Sequence, residues 1–339
     1  MIKERNTYFD FLRGIAIIMV VGIHTSGSYL GFNSIGCFLN TALRQILNAG
    51  VPIYFAISGF FLAHKDLSTS DKRIGFWEHQ ILKVYVPALF WGVPWLFLSV
   101  YMGDNLGGAI VMWLCCGLSV FYFIAVIIQD YLLLPVIQKF TPPPLSGPLK
   151  RNRLILISLT ISLLSIIIVT WIRTFMKVEP PLIVYAGFFP LWIVFFVLGV
   201  VFSFDRPNCN LGLLVLIAIS VLILQIVEAF YLERIGGAGF GIKISSFLFS
   251  AIVIIICFDK KLENRINTSK WLVRGITRIG RKSFTIYLTH YLVITLLLNR
   301  LPHPQIWYMD WFVVLFIDTL FVIALSRITP IRFHRYLGI

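Results

Sequence analysis

The chain has 339 residues, 58% of them hydrophobic and 13% charged, and its mean hydropathy is +0.88. Soluble domains carry about 25% charged residues, so this composition excludes an ordinary water-soluble globule and describes a polytopic membrane protein. The formal charge of +14 does not argue for nucleic acid, because Lys and Arg fall in short loops between apolar runs, which is how membrane orientation is encoded.

Apolar runs near the length that crosses a ~30 Å hydrocarbon core predict an all-α bundle of ten spans. They lie at 9–29, 45–63, 84–102, 119–139, 154–172, 183–202, 210–230, 240–258, 284–299 and 307–326. Between the third and fourth spans, LGGAIVMWLCCG at 106–117 is too short to cross and reads as a re-entrant or interfacial helix. The Pro-rich stretch 141–148 reads as a stiff connector. The basic link 259–283 is too short for a folded domain, and no loop on the other side is longer, so residues 1–339 are expected to form one transmembrane domain with no separate extracytoplasmic one. With a cytoplasmic N-terminus, 23 of the 29 Lys and Arg residues fall inside; Arg44, Arg173, Lys177, Arg234, Lys243 and Arg300 fall outside. This split follows the positive-inside rule, and an even number of spans places both termini in the cytoplasm. The first apolar run carries no A-x-A-like cleavage site and is expected to be retained. No internal repeat of the transporter kind is visible.

The first span holds the most informative residues. Arg13 and His24 are eleven positions apart in FDFLRGIAIIMVVGIHT. On a helix that is three turns plus about 20°, one line about 16 Å long. Asp10, three residues before Arg13, lies near the same line and can pair with it. An Arg near mid-bilayer costs roughly 2.5–3.5 kcal/mol, so the stripe needs partners or a wet cavity and points to a site inside the membrane. The bland alternatives are an Arg that snorkels to the headgroups and a His that is only a packing residue.

Elsewhere the signals are weaker. The five cysteines form no C-x-x-C pair, and the six histidines form no H-E-x-x-H, so neither a disulfide framework nor a metal site is implied. Gln129, Asp130 and Asp318 read as interhelical polar contacts. Glu228, Glu233 and Tyr231, near the end of the seventh span, are either contacts for sugar hydroxyls or a solvated helix end. The aromatic content reads mostly as interfacial belt and lipid-facing packing.

The entry Asp10, Leu12, Arg13, Gly14 and His24 resembles the first helix of the acyltransferase-3 family, integral membrane enzymes that acylate sugars and polysaccharides. Three further blocks follow in family order. VPIYFAISGFFLAH matches through Phe55, Ser58, Gly59, Phe60 and Leu62; FWEHQILKVYVPALF through Lys83, Tyr85 and Pro87; IGRKSFTIYLTHYLV through Gly280, Ser283, Tyr287, Leu288 and His290. Ser283, Tyr287 and His290 share one helical face. Two departures stand out: His79 and Gln80 replace a paired Arg, and Val120, Tyr122, Phe123 and Ile124 replace a His-x-Trp-Phe-Leu segment.

The resemblance implies transfer of an acyl group, most often acetyl, from cytoplasmic acyl-CoA to a saccharide hydroxyl, in the inner membrane of a bacterium and without a metal. Under it Arg13, Lys72, Arg73 and Lys83, with Ser58, are candidates for binding acetyl-CoA. His24, deeper along the same helix, is the candidate general base, since an imidazole titrates near neutral pH. Arg13 either contacts the donor, stabilises charge near the thioester or holds Asp10. His290 either binds acceptor or hydrogen-bonds within the bundle. Glu228, Tyr231 and Tyr122 are the remaining acceptor candidates. A transporter or flippase for a saccharide or lipid-linked intermediate is the rival reading, against which stand the four ordered blocks and the lack of repeats. A fused esterase would require a Gly-Asp-Ser nucleophile block, and no such tripeptide occurs.

Overall fold

In the structure, a computed structural model, residues 6–140, 148–237, 239–267, 270–298 and 306–339 are described. Of the described residues 80% are helical, and none is in a strand. The first half consists of α1 (Thr7–Thr25), α2 (Ile35–Leu47), α3 (Gly50–Leu62), α4 (Ser70–Tyr101), α5 (Leu106–Leu114), α6 (Tyr122–Lys139) and α7 (Pro148–Thr174). The second half consists of α8 (Leu182–Ala186), α9 (Phe189–Phe204), α10 (Leu211–Arg234), α11 (Ile244–Phe258), α12 (Lys260–Arg265), α13 (Trp271–Arg281), α14 (Ser283–Leu297), α15 (Trp307–Ile328) and α16 (His334–Leu337).

Among the described residues seven helical segments are long and apolar enough to cross a membrane, with α2 and α3 taken together as one, and three shorter apolar helices (α9, α11 and α14) stand at the other predicted spans. These three have 15 or 16 residues, short of the roughly 20 that a full crossing takes, so ten crossings and the side on which the termini lie remain expectations. The bundle turns its apolar side chains outward as well as inward. Leu216, Ile223 and Val227 on α10 and Leu164, Ile168 and Trp171 on α7 are all exposed. Apolar surface on that scale is unfavourable in water and suits lipid.

The boundaries differ from the sequence reading where polar residues act. The predicted span 45–63 is α3, and a separate helix, α2, precedes it. On α2, Ile35, Phe38, Leu39, Leu43 and Ile46 point outward, and Thr41, Arg44 and Gln45 are buried. The helix is thus amphipathic in the inverse sense, with its polar face inside. Lys243 is likewise fully buried. Arg44 and Lys243, counted from sequence among the outside charges, are interior residues. The segment 183–202 is split into α8 and α9 at Gly187–Phe188. α4 begins at Ser70 because Thr69 caps it, so its charged first turns precede the apolar run. α5, at nine residues, is too short to span, as expected for 106–117. The link 259–283 contains α12 and α13. The Pro-rich connector, apart from Pro148, and the charges Lys3, Arg5 and Arg300 lie outside the described residues.

Two close helix crossings position the site. α9 is buried along most of its length, as a helix that is apolar all round must be, and it packs against α3 through Gly59 and Gly199. A Cβ on either glycine would come within 2.1 Å or 1.9 Å of a carbonyl oxygen of the facing helix. α13 crosses α1 in the same way: a Cβ on Gly14 would meet the Ile276 oxygen at 2.2 Å and one on Gly280 the Asp10 oxygen at 1.7 Å. Small residues are what permit backbones to approach this closely. On the other side of α1, α15 is tied by the indole of Trp311, which donates to the Ile18 carbonyl (2.8 Å), and that of Trp307, which donates to the Gly22 carbonyl (3.2 Å).

Candidate active site

α1 carries the site from end to end. The Asn6 side chain accepts from the Tyr8 amide (2.9 Å) and starts the helix. One turn in, Asp10 is fully buried. Its carboxylate accepts from Arg13 Nη1 (2.9 Å) and lies 3.5 Å from Arg281 Nε, brought over by α13. Asp10 thus holds two cations at one end of the bundle, and charge-assisted bonds of this kind are the strong ones. The Arg13 guanidinium also stacks over Phe61, 5.1 Å from the ring centre, and the Tyr54 hydroxyl donates to the Arg13 carbonyl (2.9 Å).

From this end a cavity of about 430 Å³ reaches into the bundle, a volume in the range of small-molecule sites. Arg13, Gln80, Lys83 and Arg281 supply its polar wall, and Val20, Val51, Phe123, Ile124 and Ile127 its apolar one. Val20 is about 10 Å further along α1 than Arg13. Ser58 lines this cavity, as do Ser283 and Tyr287 of the last sequence block. The Tyr287 hydroxyl donates to the Val120 carbonyl (2.5 Å).

His24 lies in the last turn of α1, half-buried. Its ring centre is 5.2 Å from that of His290 and 5.5 Å from that of Tyr291. His290 is fully buried. Its Nδ1 faces the carbonyl oxygens of Tyr287 (2.8 Å) and Ile286 (3.2 Å). Carbonyls only accept, so this nitrogen carries the proton, and in the neutral ring Nε2 presents its lone pair. Among the described residues nothing donates to that Nε2. Two imidazoles from opposite ends of the sequence therefore meet in the interior, one with a free acceptor nitrogen.

His24 does not line the larger cavity. It lines a smaller one, of about 90 Å³, together with Arg44, Asn48, Tyr122, Ser246 and Ser250. Val51 lines both cavities and is their common wall. The two run along α1 in series, with cations at the outer end of the first and the histidine in the second.

The structure brings Asp10, Arg13, Ser58 and Lys83 to the first cavity and its mouth, and His24, Tyr122 and His290 to the second and its edge. The remaining candidates lie elsewhere. Lys72 bonds Asp66 in an exposed ion pair. Arg73 lines a third, separate hollow beside His64 and Lys139. Glu228 accepts from the Ser245 amide (2.9 Å) and hydroxyl, and Tyr231 points outward, 58% exposed. Of the interior polar residues, Gln129 joins α6 to the Gly187 carbonyl (2.7 Å) and the Phe189 amide (3.1 Å), and Asp318 accepts from Thr289 (2.7 Å). Asp130 differs: neither of its oxygens has a hydrogen-bond partner among the described residues. Apolar patterning of the sequence singles out neither Arg281 nor Arg44. A signal for Arg44 was present in Thr41, Arg44, Gln45 and Asn48, a polar i, i+3, i+4, i+7 face on an otherwise apolar segment. Arg281, next to Gly280, is in sequence one of eight cations of the link 259–283.

A membrane-type helical bundle with a basic-mouthed cavity and, beyond it, two adjoining histidines is the architecture of an integral membrane protein with a polar interior. The family comparison makes this specific. The acyltransferase-3 family model, described as an acyltransferase domain, matches residues 6–328, nearly the whole chain. The protein belongs to this family of membrane acyltransferases. No curated protein and no solved structure matches the chain.

Proposed function

We propose that the protein is an O-acyltransferase, most simply an O-acetyltransferase, that moves an acyl group from cytoplasmic acyl-CoA to a hydroxyl of a saccharide or lipid-linked saccharide in the inner membrane of a bacterium. The observation that supports this most is the serial arrangement along α1: cations at one cavity mouth and two imidazoles at the far end, with Val51 between. The lining of the first cavity fits the donor. Arg13, Lys83 and Arg281, with Gln80, offer hydrogen-bond donors to phosphates, and the valine and isoleucine wall suits an aliphatic arm that ends in a thioester.

In this reading Asp10 is a positioning residue. It holds Arg13 and Arg281 at the mouth and offsets part of their mutual repulsion when no donor is bound. His24 is the general base: it takes the proton of the acceptor hydroxyl as that oxygen attacks the thioester carbonyl. The new C–O bond forms, the C–S bond breaks, and the proton passes from His24 to the departing thiolate, so that ester and free thiol are the products. His290, its Nδ1–H spent on backbone carbonyls, offers only an acceptor nitrogen and can orient a hydroxyl toward His24.

The test is transfer of label from acetyl-CoA to a panel of saccharides by protein in liposomes. His24→Ala is expected to lower kcat about 10²–10⁴-fold and to leave donor binding in place. Undiminished transfer by His24→Ala removes it as base. Movement of an unmodified saccharide across the bilayer without thioester cleavage by the wild type would overturn acyl transfer itself.

A further inference from the structure

Arg44 is the least expected residue at the second cavity. It is 7% exposed and lines the same small cavity as His24. One guanidinium nitrogen, Nη1, donates to the Asn48 side chain. Nε is buried without any acceptor. Beside it, Lys243 is fully buried, with its ammonium donating to Gln45, the residue next to Arg44, at 2.5 Å. Among the described residues neither cation has a carboxylate within 4.0 Å. The nearby acid, Glu228, already accepts two bonds from Ser245.

Two buried cations with no carboxylate in ion-pair range are costly to keep. A guanidinium with an unused N–H also presents the fork that binds carboxylate or phosphate oxygens. The cavity is small: at roughly 10–15 Å³ per enclosed water, its 90 Å³ accommodates a ring substituent and not a chain of sugars. Tyr122, Ser246 and Ser250 supply hydroxyls around the same space.

We infer that Arg44, supported by Lys243, forms an anion subsite beside His24, and that the acceptor is an acidic saccharide whose carboxylate or phosphate seats there while a neighbouring hydroxyl faces the imidazole. This deepens the acyl-transfer reading and rests on it for the word acceptor, but the anion site itself can be measured without donor.

The experiment uses the full chain in nanodiscs and a tetrasaccharide containing uronic acid, compared with its carboxyl-reduced neutral counterpart, and a hexose 1-phosphate compared with the free hexose. Binding is read without donor, and transfer is read with labelled acetyl-CoA. The wild type is expected to bind at least one charged probe ten or more times as tightly as its neutral partner; which pair shows the effect distinguishes carboxylate from phosphate. R44Q is expected to erase that preference by weakening the charged probe alone, and R44K, which keeps the charge but not the fork, to retain part of it. Equal binding within both pairs, no binding of either charged probe, or a preference undiminished in R44Q overturns the inference. So does an equal fall of kcat on charged and neutral acceptors at unchanged KM, which would put Arg44 on the transition state instead. The wild-type comparison needs no variant, so misfolding of R44Q cannot hide the answer. Arg44-dependent anion binding without acetyl transfer would refute the enzymatic reading and spare the site; indiscriminate transfer to neutral and acidic acceptors would do the reverse.

Discussion

Substituting alanine for Gly280 is expected to drive α13 away from α1. The added Cβ would stand 1.7 Å from the Asp10 carbonyl oxygen and 2.7 Å from the Gly14 nitrogen, whereas ordinary contact begins near 3.4 Å. Both obstacles are helix backbone, so no rotamer change relieves the clash, and the helices must separate by the difference of 3.4 and 1.7, about 1.7 Å. Overpacking of this kind costs about 1–3 kcal/mol. Arg281, already 3.5 Å from Asp10, leaves ion-pair range, and the mouth of the first cavity changes shape. Misplacement by about 1 Å can cost about 100-fold in rate, so turnover on acetyl-CoA is expected to fall and the donor KM to rise. Gly275, on the same helix, is the control. Nothing lies within 4 Å of its Cβ, and alanine is favoured over glycine inside a helix by roughly 0.5–1 kcal/mol. The two alanine variants should therefore move the thermal unfolding midpoint of the detergent-purified protein in opposite directions. Equal midpoints, or Gly280→Ala with wild-type donor KM in liposomes, would refute the close approach of α13 to α1.

His290→Phe is expected to keep the fold, because Nε2 has no partner and the two carbonyls that Nδ1 faces lie within α14, whose own backbone bonds serve them, and to lower transfer at least about 10-fold at unchanged donor KM. Full turnover in that variant would leave His290 a packing residue. Lys83 lines the donor cavity, whereas Lys72 is engaged with Asp66 on the surface. Lys83→Ala should accordingly raise the donor KM about 5- to 10-fold, the effect of losing one phosphate contact of about 1–1.4 kcal/mol, and Lys72→Ala should not; the opposite order in a steady-state assay would place the donor phosphates at the first turn of α4. The Asp66 carboxyl is held down at about 2 by its bond to Lys72 and then by those to Ser68. A depressed folded-state value makes the contribution of this interaction complete above pH 4 and lost as pH falls toward 2. Lys72→Ala is expected to move the Asp66 titration, followed by carboxyl ¹³C shifts, upward toward the ordinary carboxylate range. A titration that stays put would show that Ser68 alone holds it.

Much of the site was legible because the first span imposes one helical geometry on Asp10, Arg13 and His24, and their relative placement follows from 100° and 1.5 Å per residue. The same holds for Ser283, Tyr287 and His290 on α14. Composition likewise determined the membrane class, and apolar runs near twenty residues long determined the helical architecture, since each such run satisfies its backbone internally as a helix. What no local rule contains is which helix faces α1. The approach of His290 to His24, the reach of Arg281 to Asp10 and the division of the interior into two cavities at Val51 all depend on how α3, α13 and α14 pack around α1. Arg44 shows the limit most clearly. In sequence it is one more charge in a loop outside the apolar runs; in the fold, α2 turns its apolar side outward and carries that charge inside. Periodicity determines which residues share a face, but only the competition among all the helices for a limited interior decides whether that face meets lipid, water or another helix.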